Sequence, residues 1–135
     1  MTITKISFGE SPEGAPVDLY RLENSQGLKA QILTFGATLK LVTVPNEQGE
    51  AVDITLSRET LDQYAGEACY FGATIGRVGN RIAQGRFTLD SADYQLATNN
   101  NDLNHLHGGN VGFDRKLWSA EATELPDGSS VRLWR

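Results

Sequence analysis

The side chains in this chain that could do chemistry fall in two short stretches. Residues Gly72 to Gly85 place Arg77, Asn80 and Arg81 among Gly72, Gly76, Gly79 and Gly85. Residues Asn99 to Gly112, NNNDLNHLHGGNVG, carry both histidines, His105 and His107. Glycine lets a backbone come close to a ligand or another strand, while Arg and Asn supply the directed hydrogen bonds that a hydroxyl-rich ligand requires. If the first stretch is extended, Arg77, Gly79 and Arg81 point to one face and Asn80 to the other; a bend at Gly79 brings Asn80 and Arg81 side by side. The second stretch is too polar and glycine-rich to be core, and a loop of this kind is a natural ligand-facing wall. On it, His107 can donate or accept a hydrogen bond at neutral pH.

Residue types alone leave other readings open. The first stretch is also readable as an irregular strand with solvated arginines, and the second as a surface turn with two solvated histidines. A phosphate loop fits less well, because no Lys-Ser or Lys-Thr pair follows the glycines and no strand leads into a long helix there. A zinc site at Asp102, His105 and His107 lacks a further ligand and helical spacing. Tyr94, Trp118 and Trp134 could stack on a sugar, although aromatics at strand positions more often pack in a core. Asp114 and Lys116 read as a loop end.

These residues need a scaffold. A chain of 135 residues that is 39% apolar and 21% charged can bury one core. Its excess of 17 acidic over 12 basic residues argues against nucleic acid as a partner and suits a neutral small molecule. The single cysteine, Cys69, can form no disulfide within the chain and reads as apolar packing in a reducing cytoplasm. Met1 to Glu10 has no apolar leader core, and no uncharged run approaches a membrane span, so the expectation is a soluble protein that does not engage a membrane.

Short β-branched or alternating segments between Gly, Asn, Asp and Pro clusters predict an all-β domain. Val17 to Glu23 and Leu28 to Phe35 read as strands joined by Asn24 to Gly27. Thr38 to Val44 and Ala51 to Leu56 form a hairpin across Asn46 to Glu50, with Val52, Ile54 and Leu56 on one face. A short helix of two or three turns is predicted from an N-cap at Ser57 to a stop at Gly66, with Leu61, Tyr64 and Ala65 at helical spacing. A second hairpin pairs Arg86 to Leu89 with Tyr94 to Leu96 across Asp90 to Asp93. Lys116 to Glu124 and Ser130 to Arg135 read as two more strands, the last cut short, which predicts a fragment of a longer domain. No internal repeat or linker divides the chain.

The order FGATIGRVGNRIAQGRF, then FTLD and YQL, then NHLHGGNVGFDRKLW, with FGATL upstream at Phe35 to Leu39, resembles the aldose 1-epimerase family over nearly the whole chain. Departures are small: Gly79 stands where many members have Ala, and Ser91 replaces the Gly usual in the hairpin turn.

The resemblance implies an antiparallel β-sandwich of the galactose mutarotase type, of which residues 1–135 are the N-terminal part of a single domain, truncated at its C-terminus. It implies a sugar in an open cleft, Asn80 and Arg81 on its hydroxyls, and His107 as a further contact with an auxiliary catalytic role. Arg77 and His105 acquire no role from it. The implied reaction interconverts α and β anomers of free aldoses such as galactose and glucose and feeds hexose metabolism, without cofactor or metal. A carboxylate takes the anomeric proton, an imidazolium protonates the ring oxygen, and the opened sugar rotates about C1–C2 before reclosing; each proton transfer is worth on the order of 10²–10⁴ in rate. In the family these two groups lie in later segments that residues 1–135 do not contain, so His107 is not the general acid and this chain alone is expected to be inactive. The alternatives are a non-catalytic carbohydrate-binding relative, or a hexose-6-phosphate 1-epimerase, which would need an added basic pocket.

Overall fold

The computed structural model describes residues 2–66, 69–125 and 128–135. Five strands, β1 (Thr2–Glu10), β2 (Pro16–Glu23), β3 (Lys29–Leu33), β4 (Thr38–Pro45) and β5 (Ala51–Asp53), form an antiparallel sheet in chain order. Two of its turns use the same device. Asn24 Oδ1 accepts the N–H groups of Gln26 and Leu28 at 3.0 and 2.9 Å, and Asn46 Oδ1 accepts those of Gln48 and Glu50 at 3.0 and 2.8 Å. A side-chain carbonyl that satisfies two turn amides is why Asn opens both NSQG and NEQG.

Strand β1 was not anticipated. Its pairing sets Ile3 opposite Leu22, Lys5 opposite Tyr20 and Ile6 opposite Leu19, with a bulge between Ser7 and Gly9. Ile3 thus shares a face with Tyr20 and Leu22, whereas Ile6 lies on the face of Leu19. A strand whose apolar residues fall on both faces loses the alternation by which strands are recognised. The strand predicted over Ala51 to Leu56 ends early, at Asp53, whose Oδ1 accepts the N–H of Thr55 at 2.8 Å and its hydroxyl at 2.6 Å and so turns the chain. Val52, Ile54 and Leu56 are exposed.

Helix α1 (Leu61–Gly66) is capped by Thr60 rather than Ser57. Thr60 Oγ1 accepts the Gln63 N–H at 3.4 Å and Gln63 Oε1 accepts the Thr60 N–H at 3.2 Å, a reciprocal capping box that starts the helix one turn later than predicted. Leu61 and Tyr64 meet Val17, Leu19, Leu33 and Phe35 in the buried core on one side of the sheet.

Downstream, β6 (Arg81–Ile82), β7 (Arg86–Leu89), β8 (Ala92–Gln95) and β9 (His105–Leu106) form two small ribbons, β7 with β8 and β6 with β9. The last hairpin, β10 (Ser119–Leu125) and β11 (Gly128–Trp134), covers the sheet's other side, where the buried Tyr20 donates its hydroxyl to the Ala120 carbonyl at 3.5 Å. Pro126 and Asp127 of its predicted turn lie outside the described residues. Among the described residues the fold is all-β apart from one short α-helix and two single 3-10 turns, at Ala83–Gly85 and Phe113–Arg115, a portion of an antiparallel β-sandwich. Among the described residues no helix is long and apolar enough to cross a membrane.

The β7–β8 turn is tighter than predicted. Leu89 pairs with Ala92, and Phe87 stacks on Tyr94 with ring centres 4.9 Å apart. Asp90 and Ser91 both have positive φ, 50° and 63°, which a two-residue turn of this hand demands and which glycine adopts without strain. Ser91→Gly is therefore expected to stabilise the chain by about 0.5–1 kcal/mol. A rise in the urea midpoint at constant slope would show it; an unchanged or lower midpoint contradicts the turn geometry.

Candidate functional site

The tetrapeptide Phe-Gly-Ala-Thr occurs twice, at 35–38 and 71–74, a repeat too short to form a module. The two copies bond to each other. Leu39 donates its N–H to the Gly72 carbonyl at 2.9 Å, Thr74 donates its own to Gly36 at 2.9 Å, and the Thr74 hydroxyl reaches the Ala37 carbonyl at 3.1 Å. The stretch leading to Asn80 is thereby tied to the end of the main sheet.

The second anchor is close packing between glycines. A Cβ on Gly76 would lie 2.3 Å from the Phe113 ring, and one on Gly108 would lie 1.8 Å from the Gly76 carbonyl oxygen. Phe113 itself donates its N–H to that oxygen at 3.1 Å. Trp118 locks Phe113 in turn, by an edge-on ring contact at 5.4 Å and an indole N–H to its carbonyl at 3.2 Å. The two motifs seen in the sequence are therefore two sides of one junction.

At that junction Asn80 and His107 clasp each other. His107 donates its N–H to the Asn80 carbonyl at 3.1 Å, and Asn80 donates its N–H to His107 Nδ1 at 3.0 Å. An Nδ1 that accepts a backbone hydrogen bond leaves the proton of a neutral imidazole on Nε2, which becomes a donor. The Tyr70 ring packs edge-on against the imidazole at 4.7 Å. The clasp continues the β6–β9 ribbon, in which Arg81 pairs with Leu106 and Ile82 with His105.

Asn80 and Arg81 do lie side by side, with Arg81 Nη1 donating to Asn80 Oδ1 at 3.2 Å. The bend is at Asn80, whose φ is 61°, and not at Gly79. Asparagine tolerates this left-handed conformation better than most residues. Asn80 and Arg81 are exposed and His107 is half-buried, so an imidazole, a guanidinium and an amide converge on one open wall. Such a set can donate several oriented hydrogen bonds to hydroxyl oxygens.

The other candidates take structural places. His105 is buried, with Nδ1 2.9 Å from the Ala97 carbonyl. Arg77 lies over the Phe113 ring at 5.5 Å. Tyr94 is taken up by Phe87, Trp118 by Phe113, and Trp134 lies under Arg132 at 5.9 Å. Among the described residues no group of three His, Cys, Asp or Glu is placed to hold a metal ion, so Asp102, His105 and His107 are not brought together.

Three asparagines of the loop, Asn99, Asn100 and Asn104, bond to the protein through their side chains. Asn99 bonds both backbone groups of Leu106, at 2.9 and 2.8 Å, and Asn104 Oδ1 accepts the Gln84 N–H at 3.3 Å. Near His107, burial raises the Asp114 carboxyl above its usual range, with the adjacent Arg115 opposing the shift. Burial likewise raises the Tyr70 phenol, with Asp114 adding to it. Neither Tyr70 nor Asp114 carried a distinguishing signal in the sequence.

The sequence pattern of the aldose 1-epimerase family matches residues 18–135. The chain is similar to galactose mutarotase of Bos taurus, 43% identical over 120 residues that cover 88% of this chain and 34% of that protein. It is 35% identical to aldose 1-epimerase of Escherichia coli K12 over 108 residues, covering 80% of this chain and 31% of that one. It superposes on the crystal structure of galactose 1-epimerase from Lactobacillus acidophilus with a TM-score of 0.82 at 28% identity, covering 98% of this chain and 38% of the other. The chain spans about a third of the length of the curated relatives it matches.

Proposed function

This chain belongs to the aldose 1-epimerase family, and on that premise we propose that the protein it represents interconverts the α and β anomers of free aldoses such as galactose and glucose. The observation that carries the reading is the Asn80–His107 clasp, which commits His107 Nδ1 and leaves Nε2 as the donor of a neutral imidazole, while Arg81 bonds the side chain of the same Asn80. In this reading Asn80, Arg81 and His107 bind the sugar hydroxyls. His107 assists without being the general acid, because its Nδ1 is already committed to a backbone N–H. The proton-transferring His and Glu come from family segments outside residues 1–135, so this chain alone binds sugar but does not open the ring. The same reading places the protein in the cytoplasm as part of hexose metabolism, without metal or cofactor and without nucleic-acid or membrane partners.

The test is polarimetry on freshly dissolved α-D-galactose. The 135-residue chain is compared with a fusion that carries it on into the remaining two-thirds of the Bos taurus relative. Acceleration by the folded fusion, reduced by His107→Ala, is expected, with none from the chain alone. A folded fusion that binds galactose without accelerating its mutarotation would favour a carbohydrate-binding role and overturn the proposal.

A further inference from the structure

The guanidinium of Arg81 is held from a direction that the motif does not reveal. Its Nε–H donates to Asn100 Oδ1 at 2.8 Å, nineteen residues away, while an Nη1 proton goes to Asn80 Oδ1 at 3.2 Å. We propose that Asn100 is a positioning residue for Arg81, fixing the plane of the guanidinium so that its remaining N–H groups face the sugar; the proposal rests on the reading of Arg81 as a sugar contact.

Asn100 is itself fixed on the backbone side. Its N–H donates to the Asn104 carbonyl at 3.0 Å, and its carbonyl accepts the N–H groups of Leu103 and Asn104 at 3.2 and 3.1 Å. Asn101 and Asp102, with φ of 54° and 53°, make the tight turn that closes this ring, at positions where Asn and Asp accept a left-handed backbone. Asn99, the preceding residue, grips both backbone groups of Leu106, so Asn100 is registered against the strand that delivers His107. An exposed arginine samples many rotamers, and ordering it on binding costs affinity; an acceptor already in place on Nε–H removes part of that cost. Asn100 therefore acts on the sugar through Arg81 and not by touching the sugar.

The test uses nuclear magnetic resonance of the 135-residue chain, following the Arg81 Nε–H resonance in the native protein and in Asn100→Ala and Asn100→Asp. In Asn100→Ala the Nε–H is expected to exchange with water at least about tenfold faster, with the Leu106 and His107 amide resonances in place. Asn100→Asp keeps the acceptor and adds charge, so the Nε–H stays protected and moves downfield. Galactose titrated into the same samples should bind about three- to tenfold more weakly to Asn100→Ala and near the native level to Asn100→Asp. An Nε–H equally labile in native and Asn100→Ala protein overturns the proposal. If Asn100→Ala does not fold, an Nε–H unmoved in folded Asn100→Asp overturns it equally. Galactose binding unchanged in Asn100→Ala despite a freed Nε–H overturns the positioning role alone. A flat galactose titration of the native chain overturns instead the reading of Arg81 as a sugar contact.

Discussion

Gly108→Ala should cost the protein about 3–5 kcal/mol and unseat His107. The added methyl would sit 1.8 Å from the Gly76 carbonyl oxygen, on a residue whose φ is 93°. Both costs act together: a backbone conformation that L-residues avoid, and an overlap with main-chain atoms that cannot rotate away. Relief requires the His107 loop to separate from the segment carrying Gly76, which pulls apart the Asn80–His107 clasp. Gly79→Ala is the natural control. Its Cβ would meet only Ile75 Cγ2, at 3.9 Å, an ordinary contact, and it is the position where the family resemblance itself points to alanine. Urea unfolding should show a large loss for Gly108→Ala and a change within about 0.5 kcal/mol for Gly79→Ala. Equal, small effects at both would mean that the glycine junction does not exist in solution.

The second large effect should fall on function and leave the fold intact. Arg81→Ala removes an exposed guanidinium bonded only to side-chain acceptors of Asn80 and Asn100 among the contacts described, so unfolding should shift by less than about 1 kcal/mol. On the proposed reading of Arg81 as a sugar contact, the same change in an active family-length fusion deletes hydrogen bonds from a charged donor to the sugar. Each is worth about 1.5–3 kcal/mol, so kcat/KM should fall roughly 10- to 150-fold. A loss mainly in KM would assign Arg81 to uniform sugar binding, and an equal fall in kcat to contacts that strengthen as the ring opens. Activity within twofold of native would remove Arg81 from the site.

Much of the local structure was legible because its causes are local. The NSQG and NEQG turns follow from residues a few positions apart and form as read, and the hairpins at β4–β5 and β7–β8 form where expected, the first with a shorter second strand and the second with a tighter turn. The errors have physical origins too. Thr60 displaces Ser57 as the cap because it, and not Ser57, has Gln63 three residues on to complete the reciprocal bond. The strand at Ala51 stops when the Asp53 carboxylate takes Thr55 away from the ladder. Strand β1 shows no two-residue period because Ile3 and Ile6 fall on opposite faces.

The candidate site divides along the same line. Residue types brought Arg77, Asn80, Arg81, His105 and His107 forward together, and the resemblance to the aldose 1-epimerase family is what narrowed them to Asn80, Arg81 and His107. Which atoms those donors leave available depended on partners far along the chain. Asn80 meets His107 across 27 residues and Arg81 meets Asn100 across 19, and Gly76 and Gly108 can touch only once the loop has docked. A hydrogen bond between distant residues depends on register and backbone direction, which arise only when the strands pair. The same asparagine can therefore face a ligand or bond its own chain, and here Asn99 and Asn104 bond backbone groups while Asn100 bonds the Arg81 side chain.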